Sequence, residues 1–149
     1  MGKQIRSEGT ITNLFIKVKH GEAMQAVETL STVEGKGIEG DQAFGRRSRQ
    51  VLLIDLDQLE ALNVQPGDLR ENITVSGLPL DSFPPGSKLK SGQVLLKIVD
   101  LCDPCEKLEE IRPGLMQAAD GIRGMLAIVE KGGKLQIGDP ISVLGPRLT

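Results

Sequence analysis

The feature that most constrains this chain is its punctuation. Apolar runs are short, and each is stopped by glycine, proline or a charged turn, with 18 Gly and 8 Pro spread over 149 residues. TITNLFIKV (10–18) places apolar residues at 11, 14, 16 and 18, and the last three alternate as in a half-buried strand. MQAVETLSTV (24–33) reads as a second, weaker strand, followed by the glycine-rich link EGKGIEGD (34–41). RQVLLID (49–55) is continuously apolar at its centre, which suits a strand covered on both faces. In LDQLEALNV (56–64) the period changes: Leu56, Leu59 and Leu62 share one helical face, and Pro66-Gly67 follows as a stop. Strand character returns in ENITVSGL (71–78), DSFPPGSKLKSG (81–92) reads as a turn region, and QVLLKIVDL (93–101) is another strand. A short helix is expected over 104–111, ended by Pro113-Gly114. GMLAIVEKGGKLQIGDPISVLG (124–145) reads as two or three strands, with a hairpin turn at Gly132-Gly133. About seven or eight closely spaced strands with one or two short helices predict a mainly β fold, a closed or partly open barrel or a sandwich. Helices do not alternate regularly with strands, which argues against a doubly wound sheet. No linker or repeat interrupts residues 1–149, so a single domain is expected.

Composition removes several functions. With three Phe and no Trp or Tyr, the core must be built from Leu, Ile, Val and Ala, and there are almost no platforms on which bases could stack. A net charge of −2 supplies no global attraction to nucleic acid or an anionic membrane. No apolar run approaches the roughly 20 residues needed to span a bilayer, and MGKQIRSEGT lacks the apolar core of a signal peptide. The expectation is a cytoplasmic protein whose two cysteines are thiols.

Those cysteines lie together in LCDPCEKLEEI (101–111). A structural zinc site needs about four N or S ligands, whereas Cys102 and Cys105 supply two and the only histidine is the distant His20. The C-x-x-C spacing permits a dithiol redox pair, but the βαβ setting usual for that motif is missing. A single reactive thiol is a third reading. Asp103 is a good N-cap and Pro104 a good first helical residue, which puts Cys105 in a first turn where the helix dipole favours a thiolate. Asp103 and Glu106 oppose that ionisation and Lys107 partly offsets them. Both cysteines can equally be small buried apolar residues.

Other segments carry charge in useful places. GKGIEGDQAFGRRSRQ (35–50) combines glycines, among them Gly40, with Asp41 and with Arg46, Arg47 and Arg49. Exposed backbone N–H groups and guanidiniums can clamp an oxyanion or phosphate, although the P-loop order is absent. The plain alternative is a solvated loop. In LRENITV (69–75), Arg70 and Asn72 precede a strand and, at period two, would point to one side. Arg123 sits between glycines in GIRGML (121–126). No Ser–His–Asp arrangement is supported.

Taken in order, G-I-E-G-D (37–41), R-Q-V-L-L-I-D (49–55), R-E-N-I-T-V-S-G (70–77), P-P-G-S-K-L (84–89), C-D-P-C-E-K-L (102–108), G-I-R-G-M-L-A (121–127) and G-G-K-L-Q-I-G-D-P-I-S-V (132–143) resemble a stand-alone MOSC domain, the type found at the C-terminus of molybdenum cofactor sulfurases. The resemblance covers roughly residues 9–145. It implies a strand-rich barrel and one signature cysteine, here Cys105 in Pro104-Cys105-Glu106-Lys107-Leu108, with Cys102 as an additional neighbour. It implies that Cys105 carries sulfur as a persulfide or binds molybdenum of the molybdopterin cofactor as thiolate. Some relatives reduce N-hydroxylated compounds. It also implies that Arg70 and Asn72 help hold the cofactor, with Arg123 as an anion contact; Gly40, Asp41 and Arg49 of the glycine-rich loop are further cofactor-binding candidates. Many relatives continue Gly-Asp with Arg-His, where this chain has Gln42 and Ala43. No pyridoxal-phosphate site is evident, so a separate cysteine desulfurase is the expected sulfur donor, and a molybdoenzyme or redox protein a further partner. A non-catalytic cofactor- or partner-binding module and a dithiol oxidoreductase are the alternatives.

Overall fold

A computed structural model describes residues 8–19, 22–101, 113–114 and 124–144. Its strands in chain order are β1 (Glu8–Ile16), β2 (Gln25–Val27), β3 (Thr29–Val33), β4 (Gly37–Ile38), β5 (Val51–Asp55), β6 (Ile73–Ser76), β7 (Lys88–Ser91), β8 (Val94–Leu101), β9 (Met125–Lys131), β10 (Gly133–Gln136) and β11 (Pro140–Leu144). Helix α1 (Leu56–Ala61) joins β5 to β6, and a single 3-10 turn covers Leu80–Ser82. Seven of these strands, in the order β11-β7-β8-β9-β5-β6-β1, close into a barrel because β1 also pairs with β11. β2 is added outside the ring on β1, and β10-β3-β4 form a separate small sheet. The ring is antiparallel except for β5 and β6, which run parallel through the α1 crossover. Barrel, rather than sandwich, is the outcome of the strand-rich pattern.

Local sequence explains the closure. In β1 the apolar residues Ile11 and Leu14 are three apart, which strict alternation would send to opposite faces. A bulge between Ile11 and Asn13 in the β1–β6 ladder restores both to the interior, where each is buried. β5 is covered on both sides. Val51 and Leu53 join the barrel core, while Ile54 packs outward with Leu59, Leu62 and Val64. Helix α1 starts with the Asp55 side chain accepting from the Asp57 amide at 3.0 Å. It ends before Pro66-Gly67. Asn63 adopts a left-handed φ of 57°, its amide donates to the Glu60 carbonyl (3.0 Å), and the Val64 amide donates to the Leu59 carbonyl (3.0 Å). This is a Schellman ending, with Val64 packed against Leu59 as that motif favours.

Three expectations change. MQAVETLSTV is two strands in two sheets, broken at Glu28, with β2 on β1 and β3 on β10. The turn region 81–92 contains β7, a short hairpin partner of β8 whose Leu89 is buried between exposed or half-exposed lysines. Gly132-Gly133 does not close a hairpin between β9 and β10. Both edges of β9 are already occupied by β8 and β5, so the chain after Gly132 leaves the barrel and β10 pairs with β3. Gly132 is needed there because a Cβ would lie 2.6 Å from the Thr32 carbonyl oxygen. Leu30, Ile38 and Leu135 of the small sheet are buried in the same cluster as the barrel interior. No helix among the described residues is long and apolar enough to cross a membrane.

Candidate functional site

Asn72 and Asp41, thirty-one residues apart, meet beside the start of β6. The Asn72 amide nitrogen donates to Asp41 Oδ1 (3.0 Å) and to the Phe15 carbonyl (3.2 Å), and its oxygen accepts from the Leu52 amide (3.0 Å). One side chain thereby ties β1, β5 and the 41–50 loop to β6. Asp41 accepts in addition from the Lys17 amide (2.7 Å, Oδ1) and the Ala43 amide (3.0 Å, Oδ2). Both residues are buried, and the polar atoms involved are turned inward to protein partners. Their role in this arrangement is to hold the loop.

The far end of the loop is held by Gln50, also buried. Its amide nitrogen donates to the carbonyls of Gly35 (3.1 Å) and Arg46 (2.7 Å), and its oxygen accepts from the Val129 amide (2.9 Å). Between these anchors residues 42–49 lie at the surface, with Phe44, Arg46, Arg47 and Arg49 exposed. Gly40 (φ 85°) and Gly45 (φ 93°) supply the left-handed turns that reverse the chain. Among the described residues, the guanidiniums of Arg46, Arg47 and Arg49 have no carboxylate partner, whereas Lys88 pairs with Glu130 at 3.1 Å.

Arg49 (φ 57°) and Arg70 (φ 64°) are, with Asn63, the non-glycine residues in left-handed backbone among the described residues. That conformation costs an ordinary L-residue about 1–2 kcal/mol. It also corrects the period-two expectation for LRENITV. Arg70 and Asn72 precede the strand, and the positive φ at Arg70 turns its side chain to the Glu22 carbonyl (Nη1 to O, 3.2 Å), while Asn72 is buried.

Sequence reasoning passed over Glu71, which is fully buried. Its Oε2 accepts from the Gly67 amide (2.7 Å) and the Thr74 hydroxyl (3.0 Å), and its Oε1 has no partner. Burial pushes its pKa above the ordinary glutamate value, against the lowering effect of those donors and of its own backbone amide, and the nearby Asp68 charge adds to the rise. The signal available in sequence was its place between Arg70 and Asn72 beside an apolar strand. Asp55 is likewise raised, first by burial and then by Asp57 and Asp81, with its helix-capping bond working the other way.

Cys102, Cys105, Arg123 and the helix expected over 104–111 lie outside the described residues. The strand ends on either side of them are placed. Leu101 pairs with Met125, Met125 with Leu53, Leu53 with Ile73 and Ile73 with Leu14, so one register line crosses β8, β9, β5, β6 and β1. Asn72 adjoins that line at Ile73. Gly124 enters β9 where a Cβ would lie 2.6 Å from the Leu53 carbonyl oxygen, so the backbone itself packs on β5. No group of three or more His, Cys, Asp or Glu suited to a metal ion occurs among the described residues.

The fold defines the class, a closed seven-stranded barrel, and this chain carries a doubly anchored arginine loop on it. The MOSC domain matches residues 40–142, and the chain belongs to that family. The match begins at Gly40 and spans the loop, the Asn72 clamp and the cysteine segment. Among solved structures, the chain is similar to the YUAD protein from Bacillus subtilis (26% identity, TM-score 0.81, covering 91% of this chain and 95% of that one). It shares its fold with YiiM from Escherichia coli (21% identity, TM-score 0.68, covering 93% and 71%) and YiiM from Geobacillus stearothermophilus (20%, 0.68, covering 95% and 75%). Comparison with curated protein sequences finds no match.

MOSC domains are associated with the molybdenum cofactor. The residues described here fit a group of that chemistry in one respect. Three exposed cations without carboxylate partners stand on a loop whose two ends are fixed by buried hydrogen bonds, a setting suited to a phosphate-bearing anion.

Proposed function

We propose that this protein is a sulfur-carrying or molybdopterin-binding member of the MOSC family, with Cys105 as the working thiol. The observation that carries this reading is the strained backbone at Arg49 and Arg70, the two described arginines assigned to cofactor binding from sequence. Strain held at a cation by a surrounding frame is a mark of a position selected for something other than stability. In this reading Arg49 and Arg70, with Arg123, neutralise and orient the anionic cofactor. Asp41 and Asn72 act one step removed, by fixing the loop and the start of β6. Gly40 supplies the turn that brings Asp41 under the loop.

Cys105 in its thiolate form is a soft ligand or a nucleophile, and either role suits sulfur chemistry. Bound cofactor would supply the redox-active metal; the protein's part is to hold its anionic groups and to present one sulfur. Attack of the Cys102 thiolate on the inner sulfur of a Cys105 persulfide would break the S–S bond, form the Cys102–Cys105 disulfide and release the outer sulfur as hydrosulfide. A cysteine desulfurase is the donor this chemistry needs, and a molybdoenzyme or redox protein the acceptor.

The test is intact mass and molybdenum content of protein co-expressed with cofactor synthesis and a desulfurase. The expected result is either one additional sulfur atom or stoichiometric molybdenum, lost in Cys105→Ser and retained in Cys102→Ser. Absence of both from the wild-type chain, or their survival in Cys105→Ser, would sink the proposal. Survival of cofactor binding in that variant would instead mark a binding module.

A further inference from the structure

We propose that Glu71 is a proton-linked latch that fixes the 65–70 segment and, through it, the placement of Arg70. The geometry runs through Gly67. Its amide donates to Glu71 Oε2 (2.7 Å), and its carbonyl accepts from the Arg70 amide (3.0 Å). The same turn is closed by the Gln65 amide on Asp68 Oδ2 (2.9 Å) and the Asp68 amide on the Gln65 carbonyl (3.0 Å). Gly67 has a left-handed φ of 92° and sits against Phe15, whose Cε1 would be 3.0 Å from a Cβ there. The segment therefore has one registered position, and the Glu71 carboxyl is the buried group that holds it.

That carboxyl is fully buried with Oε1 unpartnered, while Oε2 takes both donors. The division fits a neutral acid better than an anion: the carbonyl-like oxygen accepts twice, and Oε1 is left with an O–H lacking an acceptor rather than with charge lacking a donor. An anion would leave half its charge on a buried oxygen with no protein donor, which disfavours ionisation. The charged groups on the surrounding elements give no relief. The segment carries Asp68 and Arg70, but the Arg70 guanidinium donates to the Glu22 carbonyl. Helix α1, packed on β6, carries Asp57 and Glu60, and β5 ends in Asp55. β6 itself offers Thr74, and β1 brings the apolar Phe15 and continues into Lys17. Of these, Asp68 acts on the Glu71 carboxyl, and it acts to disfavour ionisation.

The sign follows. A folded pKa above the unfolded value means the latch is fully present at low pH and is lost as pH rises through the folded pKa. The Gly67 and Thr74 donors bond the anion more strongly than the acid, but burial of the charge outweighs them: on ionisation the proton passes to solvent, the carboxylate draws water in, the Gly67 contact opens, and the left-handed turn at Arg70 is released. The device does not depend on what Cys105 carries.

The experiment is NMR of the full chain, following protection of the Gly67 and Arg70 amides, corrected for intrinsic exchange, against pH in wild type and Glu71→Gln. Gln reproduces the neutral acid, so its protection should stay flat. Wild-type protection should fall by about tenfold or more as pH rises above the ordinary carboxylate range. Flat wild-type protection, or an equal fall in Glu71→Gln, would overturn the proposal. Should the variant fail to fold, the carboxyl carbon shift of Glu71 in the wild type decides. A titration step above the ordinary glutamate range supports the latch, and a step within that range refutes it.

Discussion

Glu71 and Asn72 are adjacent in sequence and both buried, yet they are opposite kinds of polar residue. Asn72 is neutral and uses its amide on three partners in three separate parts of the chain, so the cost of burying it is met by bonds in every direction. Glu71 is ionisable and uses one oxygen for two partners, both within four residues of it, leaving the other idle. The first arrangement is a fixed joint. The second is less costly while the group is neutral. The lesson is that burial alone does not mark a residue as structural or functional; the completeness of its bonding separates the two.

The largest expected effect falls on the fixed joint. Asn72→Leu leaves the Leu52 amide, the Phe15 carbonyl and Asp41 each short of a partner in the interior. Leaving a buried donor or acceptor unpaired costs about 1–3 kcal/mol, so a loss of about 3–4 kcal/mol is expected from urea unfolding. A loss below about 1 kcal/mol would break the contrast, because Asn72 would then be no more consequential than a surface residue. Asp41→Asn is the milder version. One carboxylate oxygen is replaced by an amide that cannot accept; the orientation that keeps Oδ1 for Lys17 and Asn72 loses only the Ala43 bond, at about 1–2 kcal/mol. Its effect should be concentrated at the loop, read as faster hydrogen exchange at the Ala43 amide than at Leu53 in the barrel.

How much of this was legible follows from where the determinants lie. The continuous apolar run of 49–55 shows directly that β5 is covered on both faces, and the leucines of 56–62 reveal the helix that covers it. The fate of Gly132-Gly133 was not legible, because it depends on whether β9 has a free edge, which is a property of strands far away in sequence. Asp41 and Asn72 could each be singled out from their own segments, but not their contact, since it spans thirty-one residues and no local pattern encodes it. Glu71 was hidden for a different reason: charge in a sequence reads as surface, yet this carboxyl is fully buried and bonded to Gly67 and Thr74. The left-handed backbone at two arginines is likewise invisible in composition, since Gly and Asn are the residues that announce it.

The smallest expected effect on stability belongs to Arg49, and it tests the same distinction from outside the core. Asn accepts left-handed backbone more readily than Arg, so Arg49→Asn relieves strain while removing an exposed cation that has no carboxylate partner among the described residues. The unfolding free energy should hold or rise, within about 0.5 kcal/mol. If Arg49 is kept strained in order to present its guanidinium, the same variant should retain less molybdopterin or molybdenum on co-expression despite its undiminished stability. Clear destabilisation would show instead that the guanidinium supports the loop. The anchored loop would then be a structural joint like Asn72, and the anion-binding assignment would pass to Arg70.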